Sequence, residues 1–223
     1  YRWKDSVTTG PETQAWLADG IAQGMRPWFT KFNGVIRDTR WIDPMSDIFG
    51  IHADIEPVLM ATTPTAEIAI IDPATTLRHH GWETRKKAEE DDLGFYQALI
   101  EAKLPFEMLT DQMLTPERLD RFKVVILANA TCLSDAQIAA LEAYVARGGS
   151  IVAAYQTSTR DAAGAPRNSI GLGKLLGVTQ TSPARGVVKN KYVALNGTHP
   201  ISAGYEGAER IICGTYVMEV EAA

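Results

Sequence analysis

Residues 124–137 read VVILANATCLSDAQ: an apolar run, a cysteine, then the opening of a helix. A strand that turns sharply into a helix is how several hydrolases present a nucleophile, and a thiol there would serve acyl transfer or hydrolysis. That chemistry asks for more than a cysteine. The turn is strained, so small residues must flank the nucleophile, and a base must be available to activate it. Cys132 is flanked by Thr131 and Leu133, with Ala130 and Ser134 outside them, so the Gly-x-nucleophile-x-Gly pattern is absent. Ser134 fits better as a helix N-cap, which leaves Cys132 in the loop before the helix. No His-x-Glu pair follows; the last histidine is His199, and Pro200 comes next. Cys132 is therefore expected to be a small buried hydrophobe at a strand end, and no residue is assigned as catalytic.

Other clusters carry polar chemistry. TLRHHGWETRKK, residues 76–87, gathers Arg78, His79, His80, Trp82 and Arg85 between a strand and its helix, where open α/β sheets bind ligands. The plainer alternative is a solvated basic loop. No glycine-rich phosphate loop precedes the helix, which argues against a nucleotide. YQTSTRDAAGAPRNS, residues 155–169, reads as a structured strand-end loop with a turn at Asp161. THPISAGY, residues 198–205, reads as a turn before an edge strand. Nearer the start, Trp28, Lys31, Asn33, Asp38, Arg40 and Trp41 combine aromatic faces with hydrogen-bonding groups, as a sugar site requires. The alternative is that both tryptophans weld this segment to other structure. Asp38 and Asp43 flank Trp41, but nothing marks them as the facing carboxyl pair of glycoside hydrolysis.

The elements that must position these residues fall into two patterns. A helix is expected over residues 12–23, stopped by Gly24, and a short strand over MRPWFTKF, residues 25–32. A second helix is expected over 44–60, with Asp43 as cap and Pro44 at its first position, and with Ile48, Ile51, Ile55 and Val58 on one face. ATTPT, residues 61–65, reads as a linker. Beyond it the chain alternates strand and helix. Strands are expected at 66–72, 106–109, 123–129 and 150–155, and helices at 91–105, 115–122 and 134–149. Continuous Val/Ile runs predict strands covered on both faces, hence a mostly parallel α/β sheet. The tail from residue 187 has strand pairs and no long helix, so the sheet is expected to finish with antiparallel edge strands.

The totals exclude several classes. With 223 residues, 45% hydrophobic and 22% charged, the composition is that of an ordinary globular chain. A net charge of -5 gives no reason to expect nucleic acid or an anionic membrane as partner. No apolar run approaches the roughly 18 residues that would cross a bilayer, and no signal peptide is evident. Two distant cysteines without ligand spacing argue against disulfides and zinc; no metal or cofactor is expected, and the compartment fits the cytoplasm. The chain lacks a starting Met, which fits a piece of something longer.

Two stretches carry a family resemblance. VVILANATCLSDAQIAALEAYVARGGSIVAAYQTSTRDAAG resembles the trimerisation (middle) domain of family 42 β-galactosidases: a strand, LSD, a helix ending in YVxxGG, a strand, then Thr-Ser and an Asp-containing turn. IGLGKLLGV resembles the ending of that region. Upstream, IAQGMRPWFTKFNGVIRDTRW and IHADIEPVL resemble the tail of a TIM barrel of the hypothetical glycosyl hydrolase 6 group. The resemblance implies a flavodoxin-like, class I glutamine amidotransferase-like three-layer sandwich over residues 65–223, preceded over 1–64 by the last strand and helix of a barrel. It further implies a non-catalytic domain that assembles as a homo-oligomer, a trimer in relatives, and meets carbohydrate through its parent enzyme. The family's catalytic carboxylates belong to barrel strands upstream of Tyr1, so none is carried over. The competing reading is an independent small-molecule hydrolase or sugar-binding module using Arg78, His79, His80 and Cys132. Candidate substrate contacts are Trp28, Lys31, Asn33, Trp41, Arg78, His79 and His80.

Overall fold

The computed structural model of the chain describes residues 8–30, 37–79, 82–195 and 199–223. The chain divides into two compact units, Tyr1–Pro64 and Thr65–Ala223.

The first unit is a helix pair. Helix α1 (Gly10–Ala22) starts at Thr9, whose hydroxyl accepts the Glu12 N–H. It ends as expected before Gly24, which takes φ +84°. Helix α2 (Ile42–Leu59) begins before the expected start, so Asp43 and Pro44 lie inside its first turn and Asp43 is not the cap. Proline is tolerated there because that N–H has no intrahelical acceptor. Ile21, Met45 and Ile48 are buried between the helices, with Leu17, Phe29, Trp41, Phe49 and Leu59 packed around them. Further along α2, Ile51, Ile55 and Val58 stay exposed. The strand expected over 25–32 does not form over 25–30, which is irregular; residues 31 and 32 lie outside the described residues. A strand needs a ladder partner for its backbone groups, and Pro27 offers no donor.

The second unit is built on four parallel strands. They are β1 (Ile68–Asp72), β2 (Phe106–Thr110), β3 (Val124–Leu127) and β4 (Ser150–Ala153), in the order β2-β1-β3-β4. Ala69, Ile71, Val125 and Leu127 join the main core with Leu109, Leu133 and Leu141. Ile70 and Ile126, on the alternate face, are buried as well, as a sheet covered on both sides requires. Between β1 and β2 the chain forms α3 (Ala74–His79) and α4 (Trp82–Glu101), so most of residues 76–87 are helical and not a loop. The run from 82 to 90 has no apolar period, yet most of it is good helix former, and propensity carries it. Helix α5 (Pro116–Leu119) leads into β3.

Helix α6 (Asp135–Ala146) follows the local rules closely. The Ser134 hydroxyl accepts the Gln137 N–H, and the Gln137 side-chain oxygen accepts the Ser134 N–H, forming a capping box. Its far end explains the YVxxGG pattern. Tyr144 is buried and its hydroxyl donates to the Phe122 carbonyl at 3.1 Å. Gly148 sits at φ +101°, and a Cβ on Gly149 would fall 2.1 Å from the Tyr144 ring. One glycine is needed for its backbone angle and the other for its missing side chain.

After β4 the chain returns through α7 (Gly173–Leu176) into a long broken hairpin. Its strands are β5 (Val178–Gln180), β6 (Arg185–Gly186), β7 (Tyr192–Ala194), β8 (Arg210–Ile212), β9 (Tyr216–Val217) and β10 (Val220–Ala222). They pair as nested two-stranded ribbons, β5 with β10, β6 with β9 and β7 with β8. The tail does not extend the four-stranded sheet as expected. β4 ends at Ala153, and the chain turns at Tyr155 and Ser158, both at positive φ, before any further strand could pair beside it.

Candidate functional site

The carboxyl edge of the sheet is where an α/β domain of this order would hold a ligand, and here its polar groups are turned inward. Residues 128–133 cross the top of the sheet and are all buried. The Cys132 side chain has no exposure, and its N–H donates to Thr76 Oγ1 at 2.9 Å. Burial pushes the thiol pKa up, against the lowering influence of the Thr76 hydrogen bond and the Arg160 guanidinium. A protonated, inaccessible thiol is a poor nucleophile. The loop after β4 runs alongside and forms an isolated bridge between Arg160 and Cys132. Ser158 N–H donates to the Ala130 carbonyl, Arg160 N–H to Thr131, and Leu133 N–H to Arg160.

The remaining strand-end groups are similarly engaged. Thr157 is buried with its hydroxyl 2.8 Å from the Ala154 carbonyl, and Ser158 Oγ accepts the Leu172 N–H. Asp161 Oδ1 accepts the N–H groups of Ala163 and Ala165, both at 2.9 Å, and Arg160 donates to the Gly164 carbonyl at 2.8 Å. His79 Nε2–H donates to the Ala162 carbonyl at 3.1 Å. Its ring lies on Gly164, which sits at φ +81° and where a Cβ would come within 2.9 Å of that ring. Arg78 folds back onto its own helix, within 3.4 Å of the Ala74 carbonyl and of Thr75 Oγ1. His80 lies outside the described residues.

The structure adds residues that the sequence did not single out. Thr76 anchors the Cys132 amide. Asp111 is fully buried, with Oδ2 accepting the Thr75 N–H at 2.7 Å and its carbonyl accepting Gln137 Nε2 at 2.7 Å. Gln137 was readable as the last residue of a Ser-x-x-Gln cap, three positions after Ser134; the other two carry no local signal. Beside the cap, an open groove of 480 Å³ runs between α6 and residues 166–171, with Arg167 paired to Asp135 at 2.7 Å across it.

In the first unit the aromatic candidates are separate. Trp28 is 69% exposed and lines a dimple of 80 Å³ with Trp16 and Met25, below the roughly 300 Å³ at which ligand pockets begin. Trp41 stacks on Phe29 at 5.3 Å, and its indole N–H is buried without an acceptor among the described residues. Lys31 and Asn33 lie outside the described residues. Arg40 grips Asp38 through two nitrogens. Among the described residues no group of three or more His, Cys, Asp or Glu side chains could hold a metal ion. No helix among them is long and apolar enough to cross a membrane.

These features define a parallel α/β domain whose strand-end side chains mostly bond to its own backbone. Residues 69–218 match the family described as the beta-galactosidase trimerisation domain, and the chain belongs to that family. No curated protein matches. Among solved structures, the chain is similar to Gan42B, a GH42 beta-galactosidase from G. stearothermophilus, seen as its catalytic mutant, with 17% identity and a TM-score of 0.64. That match covers 89% of this chain and 29% of the other. It is also similar to the beta-galactosidase from Bacillus circulans sp. alkalophilus, with 14% identity, a TM-score of 0.61, and coverage of 82% and 27%. At these identities the likeness is one of fold. The chain spans less than a third of the length of either enzyme.

Proposed function

We propose that this chain is a non-catalytic oligomerisation domain of a β-galactosidase-like glycoside hydrolase, acting in carbohydrate metabolism in the cytoplasm. The observation that carries the reading is the family match over residues 69–218. The strand order β2-β1-β3-β4 supports a flavodoxin-like, class I glutamine amidotransferase-like lineage, since that order places its switch between β1 and β3. Cys132, protonated and buried, fits such a domain without a nucleophile. Residues 1–64 are read as the tail of a glycosidase-type barrel, with α2 as its last helix, and 65–223 as the assembly domain. The uncovered Ile51, Ile55 and Val58 of α2 suit a helix meant to pack on neighbouring barrel elements. Catalysis would rest with the parent enzyme. Trp28 is the ring we assign to any sugar contact by this chain, ahead of Trp41, Arg78 and His79, whose groups face their own neighbours.

Light scattering tests the reading. The expected mass is about three times the 24.4 kDa of one chain, and a strict monomer at high concentration overturns it. Thiol labelling tests the absence of a nucleophile: Cys132 should react only on unfolding, and fast labelling in the folded protein would return it to candidacy.

A further inference from the structure

We propose that the flank formed by α4 and the β2 edge is where copies of this chain meet, three around a common axis; the proposal rests on the assembly reading above. Five large apolar side chains are uncovered there: Leu93 (61%), Tyr96 (39%), Ile100 (50%), Leu104 (47%) and Met108 (49%). They form one patch. The Tyr96 ring meets Phe106 edge-on at 5.2 Å, tying α4 to β2. Met108 pairs in register with Ile70, so Phe106 and Met108 lie on the same face of the sheet, the face that α4 covers.

The pattern points to a second copy as occupant. Leu93, Tyr96 and Ile100 are spaced three and then four apart, the seam by which parallel helices pack around an axis. Between Leu93 and Ile100 no charged residue lies on the seam; Gln97 and Glu101 border it there, as an interface centre with a polar rim requires. β2 has β1 on one side and no strand on the other among the described residues, so it is an edge strand of the sheet. The five side chains expose on the order of 450 Å² together, over half of the ≈ 800 Å² per partner that a standard interface buries. Identical seams meeting at a three-fold axis place the apolar surface of Leu93, Tyr96 and Ile100 against itself.

The competing surface is the ribbon tail, where Ile212 is 85% exposed and Tyr192 and Val193 lie beside it on the paired strand. The test is the mass of the full chain by light scattering across a dilution series, for wild type, Leu93→Glu, Ile100→Glu and Ile212→Glu. The expected result is a wild-type trimer, single-chain mass for both α4 variants, and an unchanged trimer for Ile212→Glu. Each α4 substitution should weaken association at least about thirtyfold, as loss of a hot-spot contact does. Circular dichroism checks that the variants are folded, and an unfolded Ile100→Glu hands the decision to Ile100→Ser, which adds no charge. Folded α4 variants that remain trimeric overturn the proposal and leave the assembly reading standing. Dissociation by Ile212→Glu alone moves the interface to the ribbon. A monomeric wild type removes the assembly reading itself.

Discussion

The carboxyl edge of the sheet and its β2 flank contrast in chemistry and in exposure. The edge holds Cys132, Thr157, Ser158, Arg160 and Asp161, residue types that could do catalysis, and each is buried or bonded to local backbone. The flank holds Leu93, Tyr96, Ile100 and Met108, which carry no reactive group, and their apolar surface is open. Reactive residue types here do structural work, and unreactive ones supply the surface for a partner. Substitutions at the edge should therefore cost stability and spare assembly, and those on the flank should do the reverse.

The largest effect is expected from Thr76→Val. It keeps the side-chain shape but leaves the buried Cys132 N–H without its acceptor. An orphaned buried donor costs about 2 kcal/mol, which lowers the melting temperature by roughly 4–8 °C for a chain of this size. Thermal unfolding checks the stability and light scattering the mass. A shift in mass with no loss of stability would break the contrast. Gly164→Ala comes next, at about 1.5 kcal/mol, because φ +81° strains any side chain and the new Cβ would press on the His79 ring. If the variant melts like wild type, the tether between His79 and Ala162 is not rigid in solution. Tyr96→Ala on the flank gives up the edge-on contact with Phe106, worth about 0.7 kcal/mol to the single chain, and should lose the oligomer. A large drop in monomer stability would instead make Tyr96 a core residue.

The same contrast separates what could be read in the sequence from what could not. β1, β3 and β4 were legible as Val/Ile runs and β2 as a short apolar stretch between two helices, and α6 was legible from Ser134 to Gly148 because cap and stop are local signals. That Cys132 packs was legible too, since missing glycines and a missing base are visible nearby. Its anchor was not: Thr76 lies 56 positions away, and the bond from His79 to Ala162 spans 83. Such pairings exist only once the sheet brings strand ends together. Residues 76–87 carry no apolar period, so their helical turns are not legible, and composition does not say whether the segment over 25–30 has a partner strand. The tail strands were legible as strands, but their separation from the main sheet depends on the turn that follows Ala153.

The smallest expected effect concerns pH. Burial raises the Cys132 pKa above its ordinary value, so the folded chain keeps a proton that the unfolded chain releases near pH 8.5. Below that pH both states hold the proton and stability is unaffected. As pH rises through it the unfolded state gains by ionising, so stability falls. The loss begins near pH 8.5 and grows as pH rises further. Tyr144, raised by burial as well, adds its own fall from about pH 10. Urea unfolding between pH 7.5 and 9.5 should show the slope in wild type and lose it in Cys132→Ala. An unchanged slope in that variant would mean that the folded protein lets the thiol ionise, and the carboxyl edge would then be more open than its hydrogen bonds indicate.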